Sequence, residues 1–240
     1  MAKQRRRVTI SADKLLNGAR RLFGILAMRV GRISSPRPLA DDYGWKRGTP
    51  IDRHYIEQFL AAHSSDIRGR VLEIGEDSYS RRFGGDRITS QDVLHVHAGN
   101  PSATIIGDIA DPSTLPEGRF DCIIMTQTLQ LVFNPDAAIA NIRSALRPGG
   151  VALLTVCGIT PICDDEWQSD FYWMFTPRAI RRLLTSHFEE KNIEVRGFGN
   201  LYSATAFLHG AAVQEVSRRK LDLQVVGPEY SVLVAARAVA

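Results

Sequence analysis

Cys122-Ile123-Ile124-Met125 and Val151-Ala152-Leu153-Leu154 are almost unbroken apolar runs, and nothing else in the chain limits its possible folds as strongly. A strand wetted on one face alternates apolar and polar residues, whereas a strand covered on both faces has no need to. Helical patterns separate these runs, at residues 136–146, 177–187 and 203–217. Further strand signals fall at 71–74, 87–90, 103–107, 120–126, 151–156, 193–197 and 231–236. Such alternation predicts an α/β fold with helices packed on both faces of a largely parallel sheet.

The 240 residues, 44% of them hydrophobic, suffice for one such core with sequence to spare. Ser34-Ser35-Pro36-Arg37-Pro38 reads as a linker, which divides a basic arm at 1–40 from a domain at 41–240. Tyr43-Gly44-Trp45-Lys46-Arg47-Gly48-Thr49-Pro50 leads into a helix marked by Ile51, Tyr55, Phe59 and Leu60 at helical spacing. Thr49 is a candidate cap, and Pro50 suits the first helical position.

Charge is divided the same way: residues 1–50 carry a net +9 and residues 51–240 a net −5. In the arm, Leu15, Leu16, Ala19, Leu22, Phe23, Leu26 and Met28 interleave with Arg20, Arg21 and Arg29. That pattern could lie on an anionic membrane surface or on a protein partner; the alternative is a solvated tail with one helix packed on the domain. The apolar run is too short to span a bilayer and lacks a small-residue cleavage site. Cys122, Cys157 and Cys163 are odd in number and without metal spacing, as suits a reducing cytosol. The expected location is therefore cytoplasmic, at most peripheral to a membrane. An acidic domain without an RNA-binding signature does not favour a nucleic-acid partner.

Val71-Leu72-Glu73-Ile74 runs into Gly75, which can take the positive φ of a tight strand-to-helix turn. Glu76-Asp77-Ser78-Tyr79 follows, so the glycines that would seat a dinucleotide pyrophosphate are missing and a nicotinamide-dependent oxidoreductase is excluded. The connections 78–85 and 93–102 are short for parallel crossovers, so at least one helix there should be stunted or replaced by a loop.

In order, Val71 to Gly75, Arg87 to Asp92, Ile106-Gly107-Asp108-Ile109, Phe120 to Met125 and Leu146-Arg147-Pro148-Gly149-Gly150 resemble class I S-adenosylmethionine-dependent methyltransferases. Trp173-Met174-Phe175-Thr176-Pro177 resembles that family's stretch after the fifth strand. Tyr43 to Tyr55 and Thr126-Gln127-Thr128-Leu129-Gln130 are similar to a bacterial branch found near polysaccharide-assembly enzymes. The resemblance implies a Rossmann-like, doubly wound, mostly parallel seven-stranded sheet. It also implies S-adenosylmethionine as cofactor and methyl transfer to a small-molecule or saccharide-like acceptor at oxygen or nitrogen. The alternative is a non-catalytic binding or scaffold protein that keeps the fold.

By position, the resemblance implies that Glu73 and Gly75 flank the cofactor's methionine part, that Asp92 takes the ribose hydroxyls, and that Asp108 with the Ile109 backbone meets the adenine. Thr126 completes that set at the end of the fourth strand. Glu76 or Asp77 could pair with the cofactor's ammonium, and Arg47, Arg81 or Arg82 could face its carboxylate. For catalysis the candidates are Gln127, Gln130, Asp165 and His209, none within a sharp motif. His95 and His97 lack a third ligand at recognisable spacing, so no metal is expected. Trp167, Phe171, Tyr172, Trp173 and Phe175 form an aromatic cluster suited to core packing or to capping an acceptor pocket.

Overall fold

The computed structural model describes residues 18–23, 25, 36–164, 166–223 and 229–240. Its elements are α1 (Ile51–Ala62), β1 (Gly69–Ile74), α2 (Ser78–Gly84), β2 (Ile88–His95), β3 (Ile105–Ile106), β4 (Phe120–Thr126), α3 (Pro135–Ala145) and β5 (Leu146–Cys157). α4 (Pro177–Leu184), β6 (Ile193–Phe198), α5 (Leu201–Leu208), α6 (Arg218–Leu221) and β7 (Leu233–Val239) complete them. One seven-stranded sheet has the order β3-β2-β1-β4-β5-β7-β6. β3, β2, β1, β4 and β5 run parallel, while β7 is antiparallel to β5 and to β6. Chain order reverses between β1 and β4, and the carboxyl ends of strands at such a switch point are where open α/β sheets bind their ligands.

The apolar runs behave as their pattern requires. Ile123 and Met125 pack into one core with Leu154 from β5, Ile139 from α3 and Ile180 from α4. Cys122 and Ile124 enter the other, with Leu153 from β5, Ile56 and Leu60 from α1 and Phe207 from α5. β4 is thus apolar on both faces because helices cover both.

Both short connections are reduced. The first holds the seven-residue α2, and the second reaches β3 through turns without a helix. Two other boundaries moved. The Arg-Pro-Gly-Gly turn is a bulge inside β5, with Gly149 at φ +77° and the register shifting between Phe120 and Cys122. Residues 203–217 are not one helix: α5 ends at Leu208, and Gly210, at φ +68°, turns the chain away. All three thiols are buried, and burial pushes the Cys157 thiol up to about 12.

Of the arm, residues 18–23 and 25 are helical, and Arg21 donates from Nε and Nη2 to the Arg47 carbonyl at 3.2 and 3.1 Å. The remaining apolar positions expected to face a membrane or partner, Leu15, Leu16, Leu26 and Met28, lie outside the described residues. No helix among the described residues is long and apolar enough to cross a membrane.

Candidate functional site

β1 ends in the turn at Gly75, whose φ is +93° and where an added Cβ would meet nothing within 4 Å. Its N–H donates to the Leu94 carbonyl at 2.9 Å, and its carbonyl accepts from Asn100 Nδ2 at 2.6 Å. The turn is therefore tied to β2 on one side while a space opens on the other. Glu73 is buried beneath it. Its carboxylate accepts the N–H of Tyr79 at 3.2 Å and of Ser80 at 2.7 Å, which satisfies amides at the start of α2. Burial raises the Glu73 pKa to about 6 against the opposing pull of those bonds. Glu73 therefore shapes the turn from below.

Asp77 precedes α2 and pairs with Arg81 Nε at 2.6 Å, while Glu76 stays exposed. The arginines expected to face a ligand carboxylate are likewise engaged. Arg47 is buried against Glu215 at 2.7 Å and also donates to the Gly210 carbonyl. Arg82 forks onto Glu57 at 2.7 and 2.9 Å.

Asp92 does not stand at the end of its strand, as the sequence reading expected. β2 continues to His95, so Asp92 stands opposite Leu72 within the sheet, three residues before the strand end. Its carboxylate pairs with Arg70 Nη2 at 2.6 Å and accepts from Thr104 Oγ1 at 3.1 Å. This pairing lets a polar residue continue in a strand that the sequence pattern ends at Ser90. The strand end belongs to His95, whose Nδ1 lies 3.1 Å from the His97 backbone N and 2.9 Å from its O.

Asp108 is exposed after β3 and accepts the Ala110 N–H at 2.8 Å, while Ile109 is buried with its carbonyl bonded to Asn141. Thr126 closes β4 in register with Thr155 of β5. Gln127 then takes φ +50°, held by its N–H on the Thr155 carbonyl at 2.8 Å. Gln130 donates to Gln127 Oε1 at 2.7 Å, so this pair does meet in the turn after β4. His209 ends α5, where its N–H bonds to Thr205 and its carbonyl to Leu39; no hydrogen bond joins it to the β4 turn among the described residues. Asp165 lies outside the described residues.

The β5–α4 segment crosses this edge. Trp167 stacks on His97 with centroids 6.2 Å apart and planes 9° from parallel, and meets His95 edge-on at 6.1 Å. Tyr172 and Trp173 then donate their N–H groups to the Gln130 carbonyl, and Phe175 donates to that of Cys157. The segment thus touches the ends of β2 and β5 and the turn after β4.

Sequence reasoning missed Asp52 and Arg53 in the first turn of α1. Arg53 Nη1 donates to the Tyr79 hydroxyl at 3.4 Å, and its guanidinium lies 5.7 Å from the Trp45 ring centroid. Burial raises the pKa values of Tyr79 and Cys157, and the charge of Asp52 adds to each rise. Its Oδ1 is buried with no hydrogen-bond partner among the described residues, and burial raises its pKa despite the Arg53 charge nearby. In the sequence, an acidic residue at a helix start reads as a dipole complement. Only the packing of α1 against α2 brings this pair to the turn. Among the described residues, no group of three His, Cys, Asp or Glu is placed to hold a metal.

The chain is similar in structure to an S-adenosylmethionine-dependent methyltransferase from Archaeoglobus fulgidus, with TM-score 0.53 and 11% identity over 78% of this chain and 94% of that one. It is also similar to the cyclase SpnF, with TM-score 0.50 and 14% identity over 97% of each chain. Identities this low speak for the fold alone. A search of curated proteins finds no match. A family model described as a methyltransferase domain matches residues 42–208, from the lead-in through α5. With the strand order and this match over most of its length, the chain belongs to the S-adenosylmethionine-dependent methyltransferases.

Proposed function

We propose that the protein methylates a small-molecule or saccharide-like acceptor at oxygen or nitrogen, with the cofactor seated across the ends of β1 and β4. The observation that carries this reading is the Asp52–Arg53 pair beside the open Gly75 turn. A buried carboxylate oxygen without a partner, next to a guanidinium, has the charge pattern needed for an amino-acid zwitterion. Asp52 would take the ammonium and Arg53 the carboxylate of the cofactor's methionine end. Asp77 can join them by exchanging its solvent-exposed Arg81 partner. Gly75 gives backbone clearance, Thr126 stands at the end of β4, and Asp108 with the Ile109 backbone faces the adenine. His95 stands at the strand end where Asp92 was expected to meet the ribose.

When bound, S-adenosylmethionine supplies a methyl group already activated on a sulfonium. What remains for the chain is to hold the acceptor in line and keep water out. The β5–α4 segment serves the second task. Calorimetry with S-adenosylmethionine and S-adenosylhomocysteine tests the reading. Micromolar binding of both is expected, and no heat at high micromolar protein would leave a non-catalytic binding protein as the reading.

Residues 1–40 are assigned as an arm that touches a membrane surface or a protein, keeping a cytoplasmic enzyme peripheral. Leu22 and Phe23 are exposed in it beside Arg20. Deleting residues 1–33 should abolish salt-sensitive sedimentation with anionic liposomes; equal sedimentation of both forms would refute the membrane assignment.

A further inference from the structure

The turn after β4 keeps two polar atoms in reserve. Gln130 is 4% exposed, and its Nε2 donates to Gln127 Oε1 at 2.7 Å. That single bond leaves Gln127 Nε2 and Gln130 Oε1 buried with no partner among the described residues, and Thr155 Oγ1 in the adjoining strand is also without one. Exchanging N and O in both carboxamides would still leave one donor and one acceptor. Buried polar groups in folded proteins are normally satisfied, so a pair left open in the turn after β4 points to a ligand.

The kind of ligand follows from the pair's composition. An anion only accepts hydrogen bonds and an ammonium only donates them, so neither satisfies both atoms. A neutral hydroxyl does both. Beside the pair stands an aromatic shelf. Phe133, Tyr172 and Trp173 are 72%, 46% and 39% exposed, with Phe133 edge-on to Tyr172 at 5.3 Å and 6.4 Å from Trp173. The shelf is fixed to the same turn: Gln130 O accepts the N–H of Tyr172 at 2.9 Å, and Trp173 Nε1 donates to the Val132 carbonyl at 3.1 Å. Exposed rings whose negative faces favour weakly positive C–H edges, next to a hydroxyl site, suit a ring that carries both.

We infer that Gln127 and Gln130 with Phe133, Tyr172 and Trp173 form the acceptor subsite. It holds a neutral pyranose-type saccharide, one hydroxyl bridging the two carboxamides and the ring's C–H face resting on the shelf. This rests on the methyl-transfer reading for its role, but the binding site can be tested separately.

The probes are the methyl α-glycosides of glucose, galactose, mannose and rhamnose, followed by saturation-transfer NMR on the full chain with and without S-adenosylhomocysteine. Glucuronate, glucosamine, cyclohexanol and phenol serve as comparisons. At least one neutral methyl glycoside should bind with its ring protons most strongly saturated. Phe133→Ala, at an exposed position that does not threaten folding, should weaken it at least fivefold. Gln127→Glu should weaken it at least tenfold, with S-adenosylhomocysteine affinity within twofold of wild type in both variants. Absence of glycoside binding to a protein that binds S-adenosylhomocysteine would overturn the proposal. So would preferred binding of phenol or of a charged sugar, or glycoside binding unchanged in Phe133→Ala. If S-adenosylhomocysteine fails to bind while a glycoside binds as described, the subsite stands and the methyl-transfer reading falls.

Discussion

The turns after β1 and after β4 close the same sheet edge but differ in what they leave unsatisfied. Under the β1 turn, Glu73 and Asp77 have partners within the chain, and deeper in the sheet Asp92 is held by its ion pair with Arg70 and by Thr104, although its Oδ2 has no hydrogen-bond partner among the described residues. At the β4 turn Gln127 and Gln130, and in the adjoining β5 Thr155, each retain an atom without a hydrogen-bond partner among the described residues, as does Asp52 where α1 meets α2. A carboxylate in the expected place of a motif can thus be scaffolding, while the groups still available for a ligand need not be those to which the motif assigns the cofactor. Charged residues draw the eye in a sequence, but it is the unsatisfied ones that suggest binding.

The comparison can be broken most sharply at Asp92. If it is scaffolding, Asp92→Ala leaves the Arg70 charge without its partner and should cost about 2–3 kcal/mol of stability, while the folded protein keeps its S-adenosylhomocysteine affinity. A denaturant midpoint unchanged from wild type, with affinity lost, would return Asp92 to the site. Arg53→Ala should instead leave the fold intact and weaken S-adenosylmethionine by roughly 10- to 100-fold, the loss of charge-assisted bonds worth about 1.5–3 kcal/mol. Calorimetry with equal affinities would move the carboxylate partner elsewhere.

Glu73 offers a pH test. Because its folded pKa is raised from 4.5 to about 6, the native state binds its proton more tightly than the unfolded chain does. Its contribution favours folding fully below pH 4.5 and is lost as pH rises towards 6, a change of about 2 kcal/mol. In Glu73→Gln this component of the urea-midpoint profile should vanish; an identical slope would refute the burial that sets it. The smallest effect is expected at Asp77. Asp77→Ala removes an ion pair whose Arg81 side chain is 71% exposed, worth less than about 1 kcal/mol, and should weaken cofactor binding less than Asp52→Ala does. The reverse order would place the ammonium on Asp77.

Much of the framework was legible in the chain. The span Phe120–Thr126 emerged as the predicted strand, and the residue-135 helix begins within one residue of its expected start, at Pro135 after the Asn134 cap. Both follow from local rules: the apolar run requires two covered faces, and Asn with Pro marks a helix start. β2 was less legible, since Gln91-Asp92 reads as a strand terminus until Arg70 on the neighbouring strand is known. The helix expected at 203–217 failed because Gly210, compatible with a helix in sequence, takes φ +68° and carries the chain past Ala40. For the proposed site, Gly75 and Thr126 could be named from the sequence because they stand at strand ends, and Gln127 with Gln130 because they follow β4 closely.

The sequence by itself determined the alternation of strand and helix, the buried β4 and β5, the glycine turn and the resemblance to methyltransferases, since these depend on short-range pattern and on the two covered faces it implies. Only the tertiary structure decided which polar groups are already satisfied. A hydrogen bond or ion pair between residues far apart in the chain, such as Arg47 with Glu215, depends on three-dimensional distance. For the same reason, Asp92 became part of the sheet, and Asp52 kept a buried oxygen without a partner among the described residues.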